Sequence, residues 1–203
     1  GVLLDYAAGV ISAADLKASG AVGAIRYVSD RRPGGGDWML GKPIQLTEPA
    51  TSTSRTEDRV QLSVRQAGHR GLARWSAGRH RSRQARLALH TAAGGPVAAP
   101  IYVSIDDDPT LDQYKAQVAP YLRAWESVIG HQRVGVYGNS KVIDWALQDG
   151  IGSWFWQHNW GSPKGYTHPA AHLHQVEIDA RKVAGVGGVD LNNIMKPQFG
   201  QWD

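Results

Sequence analysis

The sequence has 203 residues and a formal net charge of +4 at pH 7, a length that suits one domain and is short for a (β/α)₈ barrel of about 250 residues. It contains no cysteine, which excludes a disulfide framework, thiol catalysis and cysteine-bound zinc, and no stretch approaches the ~20 apolar residues of a membrane span. The positive charge is local: residues 50–86 hold nine arginines and two acidic residues, whereas the rest holds 13 basic and 16 acidic residues.

The first 47 residues predict a strand, a helix and a second strand. An apolar run over residues 2–7 is the first strand, and residues 24–28 form the second. Between them, Ser12 begins a helix in a capping-box-like context, and Gly20 follows it as a stop signal. This order is the beginning of an alternating α/β chain.

The C-terminal half continues the alternation. A long helix is predicted from Thr110 to about Ile129, with a kink at Pro120. Asn139 caps a second helix that ends near Gly150. Five further strands are predicted over residues 100–106, 133–137, 153–158, 172–178 and 186–191. Strands that alternate with helices predict a parallel sheet, and we predict an α/β fold of the (β/α)₈ type.

Residues 50–86 do not fit this pattern. Only Val60, Leu62 and Val64 alternate there as a short strand would, and the segment is rich in Arg, Ser, Ala and Gly. It is either a basic disordered insertion or a stretch translated out of frame, which is the interpretation we favour. We therefore expect one domain over residues 1–203, with a barrel that is incomplete or distorted around its third strand.

Five motifs resemble those of a known family. They lie in order along the chain at residues 4–9 (LDYAAG), 24–29 (AIRYVS), 101–108 (IYVSIDDD), 135–139 (GVYGN) and 188–192 (GVDLN). Together they resemble the actinobacterial family of secreted glycoside-hydrolase-like domains, which in turn is similar to the family 25 lysozymes. The resemblance covers residues 1–48 and 87–203 and fails between them.

The resemblance implies that the protein is exported to the cell envelope. It also implies a barrel whose active site lies at the C-terminal ends of the strands. In the lysozyme relatives a strand-end Asp-x-Glu supplies the catalytic carboxylates, which corresponds here to Asp106 and Asp108. Asp108 departs from that pattern, because its side chain is one methylene shorter than glutamate.

Four aspartates are the predicted catalytic residues. Glycoside hydrolysis requires two carboxyl groups, one that donates a proton and one that stabilises or attacks the sugar or activates water. Asp106 and Asp108 would share one face of an extended strand, and Asp5 and Asp190 would join them if the first and last strands of a closed barrel are neighbours. Alternatively, Asp107 and Asp108 form a turn and the other aspartates cap helices or order turns.

Aromatic and amide side chains near strand ends are the predicted substrate-binding groups, because a sugar ring packs on an aromatic face while its hydroxyls bond to polar groups. The predicted set is Tyr6, Tyr27, Tyr137, Trp156 and Gln157; packing in the barrel core is the alternative. His168, His172 and His174 are interpreted as surface or packing residues, and we predict no metal ion and no cofactor.

The sequence thus predicts a secreted monomer that hydrolyses a cell-wall glycan such as peptidoglycan. A glycan-binding barrel without catalytic activity is the first alternative. A nucleic-acid-binding protein that uses residues 50–86 is the second, which we do not favour because the remaining domain is acidic.

Overall fold

The computed structural model describes residues 1–29, 36–42, 60–65 and 80–202. Within these residues, eight strands form one sheet. They are β1 (Val2–Asp5), β2 (Gly23–Tyr27), β3 (Val60–Arg65), β4 (Ile101–Ser104), β5 (Val134–Gly138), β6 (Trp154–Gln157), β7 (Leu173–Val183) and β8 (Gly187–Ile194). The seven strands predicted from their sequence patterns are all present, and β3 is the short alternating run at residues 60–65.

The strands pair in chain order, and β8 also pairs with β1, so the sheet closes on itself. Strands β1 to β7 run parallel to one another, but β8 is antiparallel to both of its neighbours. Only residues 184–186 separate β7 from β8, which is enough for a hairpin but not for the dozen or more residues of a parallel crossover. The sheet is therefore mixed.

The prediction of a (β/α)₈ barrel is wrong. That fold needs eight parallel strands, each followed by a helix. The described residues contain only four α-helices longer than one turn: α1 (Ala13–Ala18), α2 (His80–Ala92), α4 (Ala119–Ile129) and α5 (Ser140–Gln148). No α-helix lies between β6 and β7, where every residue is described. Among the described residues of this region, 60–65, no gap in the sheet is found at the third strand, since β3 pairs with both β2 and β4.

The helix predicted over residues 110–129 is present but interrupted. Thr110 and Gln113 form a capping box at α3 (Leu111–Gln113), a π-helical turn follows over Tyr114–Val118, and α4 continues from there. Pro120 explains the interruption, because it has no N–H group and its ring clashes with the carbonyl four residues earlier. None of the helices in the described residues is long and apolar enough to cross a membrane.

Two apolar layers hold the sheet. The first fills the inside of the barrel and includes Leu3, Ile25, Tyr102, Leu173 and Phe199. The second lies between the sheet and the helices and includes fully buried Trp125 and Leu122 of α4. Because strand side chains alternate between these layers, polar residues in phase with the inner layer point into the barrel.

Candidate active site

Asp5 and Asp190 lie directly opposite each other on neighbouring strands. They are register partners in the antiparallel pair of β1 and β8. Asp5 is the last residue of β1, whereas Asp190 is the fourth residue of β8. Because β8 runs in the opposite direction, the middle of that strand reaches the end of the barrel where the parallel strands finish. The predicted proximity of the two strands is confirmed, although they run antiparallel.

A cavity of about 250 Å³ opens at this end of the barrel. It brings together three of the four aspartates predicted to be catalytic, Asp5, Asp106 and Asp190, with three of the predicted substrate-binding aromatics, Tyr27, Tyr137 and Trp156. Ser104, His158, Trp160, Gln175 and Ile178 complete its lining. Carboxylates therefore share this cavity with aromatic faces, an arrangement that suits a polyhydroxylated ligand.

Asp5 is the most deeply buried carboxyl of the site. Its Oδ2 accepts a hydrogen bond from the Tyr27 hydroxyl at 3.1 Å, and its Oδ1 is buried without a hydrogen-bond partner in the described residues. Burial, and then the negative charge of Asp190, raise its pKa from 3.8 to about 7, although Tyr27, Lys42 and Arg26 act in the opposite direction. Asp5 therefore titrates close to neutral pH.

Asp190 is partly exposed and accepts two hydrogen bonds. Gln175 Nε2 donates to its Oδ2, and the Asp179 backbone N–H donates to its Oδ1, both at 2.8 Å. Its pKa is raised, first by burial and also by the charges of Asp179 and Asp106, while the backbone hydrogen bond opposes the rise. The Tyr137 hydroxyl donates to Gln175 Oε1 at 2.8 Å, which leaves the Gln175 NH₂ group to face Asp190.

Asp106 lies two residues beyond the end of β4, and its side chain is half-buried at the cavity wall. Its negative charge contributes to the raised pKa values of Asp190 and Tyr137. Burial lowers the pKa of the His158 imidazole, and the negative charge of Asp106 opposes this shift. Asp106 is thus electrostatically coupled to the groups around the cavity.

Asp108 does not line the cavity. Its Oδ1 lies 2.7 Å from Lys141 Nζ and accepts a hydrogen bond from Asn139 Nδ2 at 2.8 Å. The expectation that Asp106 and Asp108 share a strand face assumed an extended backbone, but β4 ends at Ser104. Instead, Asp107 Oδ1 accepts a hydrogen bond from the Asp108 backbone N–H, as in the turn that was the alternative interpretation.

Two of the predicted substrate-binding residues also lie elsewhere. Tyr6 belongs to a separate apolar cluster that includes Leu4 of β1 and Leu16 of α1, and the Arg26 guanidinium lies 4.4 Å from its ring centroid. Gln157 is fully buried; its Nε2 donates to the Tyr166 carbonyl, and its Oε1 accepts from the His168 backbone N–H at 2.7 Å. Both residues therefore hold neighbouring chain segments in place.

Five lining residues were not among the predicted site residues. Two of these residues could have been found from the two-residue period of a strand. His158 lies two positions after Trp156, and Gln175 lies two positions after Leu173, so both side chains are in phase with residues that point into the barrel. Ser104 follows Tyr102 in the same way. Trp160 and Ile178 are 49% and 64% exposed. Trp160 lies beyond the end of β6, and Ile178 lies in β7 where the pairing with β8 is irregular, so neither has such a periodic signal.

The three histidines considered as metal ligands have other contacts. His168 Nε2 lies 2.9 Å from Asp144 Oδ1, His172 Nδ1 accepts from the Phe155 backbone N–H, and His174 contacts Thr167 and Asn159. Within the described part of the chain, no group of three His, Asp or Glu side chains could hold a metal ion.

The chain is similar in sequence to known proteins. Residues 14–194 match the family described as the Rv2525c-like, glycoside hydrolase-like domain. Over 206 aligned positions, 67% are identical to Rv2525c of Mycobacterium tuberculosis strain H37Rv, a protein named as a candidate peptidoglycan hydrolase; the alignment spans 100% of this chain and 84% of that protein.

Two solved structures are similar to this fold. The crystal structure of Rv2525c, a Tat-secreted protein, in complex with L-tartrate is 63% identical, with a TM-score of 0.92 over 100% of this chain and 99% of that one. A bacterial lysozyme from Streptomyces coelicolor is 14% identical, with a TM-score of 0.54 over 96% and 92% of the two chains. The lysozyme likeness concerns the fold alone.

Proposed function

Since this chain belongs to the family of Rv2525c-like, glycoside hydrolase-like domains, we propose that it hydrolyses a glycosidic bond of peptidoglycan in the cavity that contains Asp5, Asp106 and Asp190. The observation that carries the proposal is the presence of these three carboxyl groups in one aromatic-lined cavity. Glycoside hydrolysis needs a protonated carboxyl group and a second carboxylate on either side of the scissile bond.

In this proposal the Asp5 and Asp190 pair supplies the proton. Two neighbouring carboxyl groups disfavour double ionisation, so that such a pair retains one proton to higher pH than either group alone. The raised pKa values of both side chains support this role. Asp190 is the more exposed member and would deliver the proton to the leaving oxygen. Asp5 would help to keep that proton on the pair at higher pH and would not contact the substrate.

Asp106 would be the second carboxylate, which stabilises or attacks the developing oxocarbenium-like centre or activates water. The exposed Trp160 and Ile178 would contact a glycan at the cavity rim, where apolar surface favours the CH face of a pyranose. Asp108 is not assigned to this step, because its carboxylate is paired with Lys141.

The substrate and the compartment follow from the relatives. Rv2525c is named as a candidate peptidoglycan hydrolase and described as Tat-secreted. We therefore infer that this chain is secreted and meets peptidoglycan in the cell envelope. That it acts as a monomer stays a prediction.

The test is the release of new reducing ends from purified mycobacterial peptidoglycan by the whole chain. Asp106→Asn and Asp190→Asn should each reduce kcat by about 10²-fold or more, the scale of lost acid–base catalysis. Asp107→Asn is the matched control, because Asp107 is an adjacent aspartate that does not line the cavity. If the native chain binds peptidoglycan fragments but releases no reducing ends, the glycan-binding alternative replaces this proposal.

A further inference from the structure

A second cavity, of about 840 Å³, lies at the opposite end of the barrel. Arg133 immediately precedes β5, Trp154 is the first residue of β6, and His172 immediately precedes β7. These are the N-terminal ends of the parallel strands, whereas the aspartates lie at the C-terminal ends. We call this the basal cavity; it is lined by Ala98, Gln132, Arg133, Ser153, Trp154, His172, Lys196, Pro197 and Gln198. Its volume is within the range of small-ligand sites.

The basal cavity carries positive charge. Its lining includes Arg133 and Lys196 but no aspartate or glutamate. Arg133 donates through Nε and Nη2 to the Ala99 carbonyl at 3.3 Å, and Lys196 Nζ donates to the Ala170 carbonyl at 2.9 Å. Neutral carbonyls orient both side chains without cancelling their charges, and neither cation forms a salt bridge within the described residues. Each retains N–H groups that can bind an anion.

His172 adds a fixed neutral donor. Its Nδ1 accepts a hydrogen bond from the Phe155 backbone N–H at 3.1 Å, so the proton of the neutral ring lies on Nε2. Burial, and then the positive charge of Lys196, lower the pKa of His172 to about 4. At neutral pH the ring is therefore uncharged and presents an N–H group rather than a lone pair on its Nε2 side.

Trp154 supplies an aromatic surface beside these donors. Its ring centroid lies 5.2 Å from that of His172, and its Nε1 donates to the Gln132 carbonyl at 2.9 Å. This hydrogen bond and the neighbouring ring hold the half-buried indole in place. A rigid indole next to cationic donors can pack against the CH face of a sugar while the donors bind an acidic group on that sugar.

We propose that the basal cavity binds a sugar that carries a carboxylate, with the carboxylate held by Lys196 and Arg133 and the pyranose ring packed on Trp154. The ligand class follows from charge complementarity, since the lining pairs two cations with an indole and contains no acidic side chain. The proposal is independent of the proposed hydrolysis, because the two cavities share no lining residue.

The test compares cellobiuronic acid with cellobiose, which differ in one carboxylate, by isothermal titration calorimetry and by NMR of the Trp154 indole and His172 imidazole signals. Cellobiuronic acid should shift both signals and bind about tenfold or more tightly than cellobiose, the range expected for a charge-assisted hydrogen bond. Asp106→Asn should leave this binding unchanged, which separates it from any failure of the hydrolysis proposal.

Lys196→Gln should weaken binding about fivefold or more, whereas Lys196→Arg, which keeps the charge, should bind almost as the native chain does. Lys115→Gln is the control, because Lys115 is exposed and lies outside the cavity. The proposal fails if cellobiose binds equally well, if Lys196→Gln has no effect, or if inorganic phosphate binds as tightly as cellobiuronic acid. The comparisons among phosphate, cellobiose and cellobiuronic acid use the native chain and so need no variant to fold.

Discussion

Lys141 on α5 forms an ion pair with Asp108, with 2.7 Å between Nζ and Oδ1. Asn139, the N-cap residue of the same helix, donates to the same oxygen. Asp108 therefore ties the turn after β4 to the start of α5, whereas Asp106, two residues earlier, lines the cavity that contains Asp5 and Asp190. Two carboxylates of one short motif thus have different surroundings.

We predict that Asp108→Asn changes activity little. The ion pair is 34% exposed at Asp108 and 43% exposed at Lys141, so its loss should reduce the free energy of unfolding by about 1 kcal/mol or less. Urea denaturation and the release of reducing ends measure the two effects, with Asp106→Asn as the comparison. A loss of about 10²-fold in kcat for Asp108→Asn would restore Asp108 to the catalytic residues.

We predict that Asp5→Asn becomes more stable relative to the native chain as pH rises. The pKa of Asp5 is raised from 3.8 to about 7 in the folded chain, so the folded state binds this proton more tightly than the unfolded state. The contribution of this proton to the free energy of unfolding is fully present below pH 3.8 and is lost as pH rises through about 7.

The asparagine variant lacks this titration. Its free energy of unfolding minus that of the native chain should increase by on the order of 2–4 kcal/mol between pH 4 and pH 8. Urea denaturation across this range measures the difference. An equal pH dependence for both chains would show that Asp5 does not titrate in this window.

The activity should also depend on the Asp5 and Asp190 pair. If the pair supplies the proton, kcat/KM should fall as pH rises through about 7 in the native chain. Asp5→Asn removes one of the two carboxyl groups that share the retained proton, so the alkaline limb, which belongs to the pair, should move to lower pH. A pH profile on soluble peptidoglycan fragments checks this shift. An unchanged alkaline limb would assign the proton to another group.

Tyr137→Phe should affect both stability and the site. It removes the hydroxyl that bonds to Gln175 Oε1 and leaves a buried acceptor without a partner, which should cost about 1–3 kcal/mol of unfolding free energy. It also frees the amide that donates to Asp190, so kcat should decrease more than KM changes. Tyr121→Phe, on α4 and outside the cavity, is the control for losing a hydroxyl. Equal effects of both variants on kcat would exclude a positioning role for Tyr137.

The sequence was sufficient for the strands and for much of the cavity, because both follow from local patterns. Asp5, Tyr27 and Tyr137 were predicted from their positions at or near the ends of apolar strands. Gln157 was predicted from the same signal but does not line the cavity. A position at the end of a strand does not distinguish the two faces of the strand, and Gln157 alternates with Trp156, so that one side chain points inward and the other outward.

The direction of β8 could not be read from its residues. An alternating apolar run has the same appearance in a parallel and an antiparallel strand, and the decisive quantity was the length of the connection after β7. The strands predicted at 172–178 and 186–191 leave only the seven residues 179–185 between them, which is too few for a parallel crossover and indicates a hairpin. In the structure β7 extends to Val183, so the connection is shorter still. The frame-error hypothesis also stays a prediction: apart from β3 and the residues from 80 onward, the segment at 50–86 lies outside the described residues, and the nucleotide sequence around codons 48–88 would check it.

The position of Asp190 is set by the register in which β8 pairs with its neighbours, and not by the shape of a loop. Inserting or deleting a single residue between Gly187 and Asp190 would move this carboxylate to the other face of the sheet, because side chains alternate along a strand. Residues 184–186, at the hairpin tip, can vary in length without that effect. Length changes among homologues that keep the activity should therefore be concentrated at the tip and be absent from the three residues that precede Asp190.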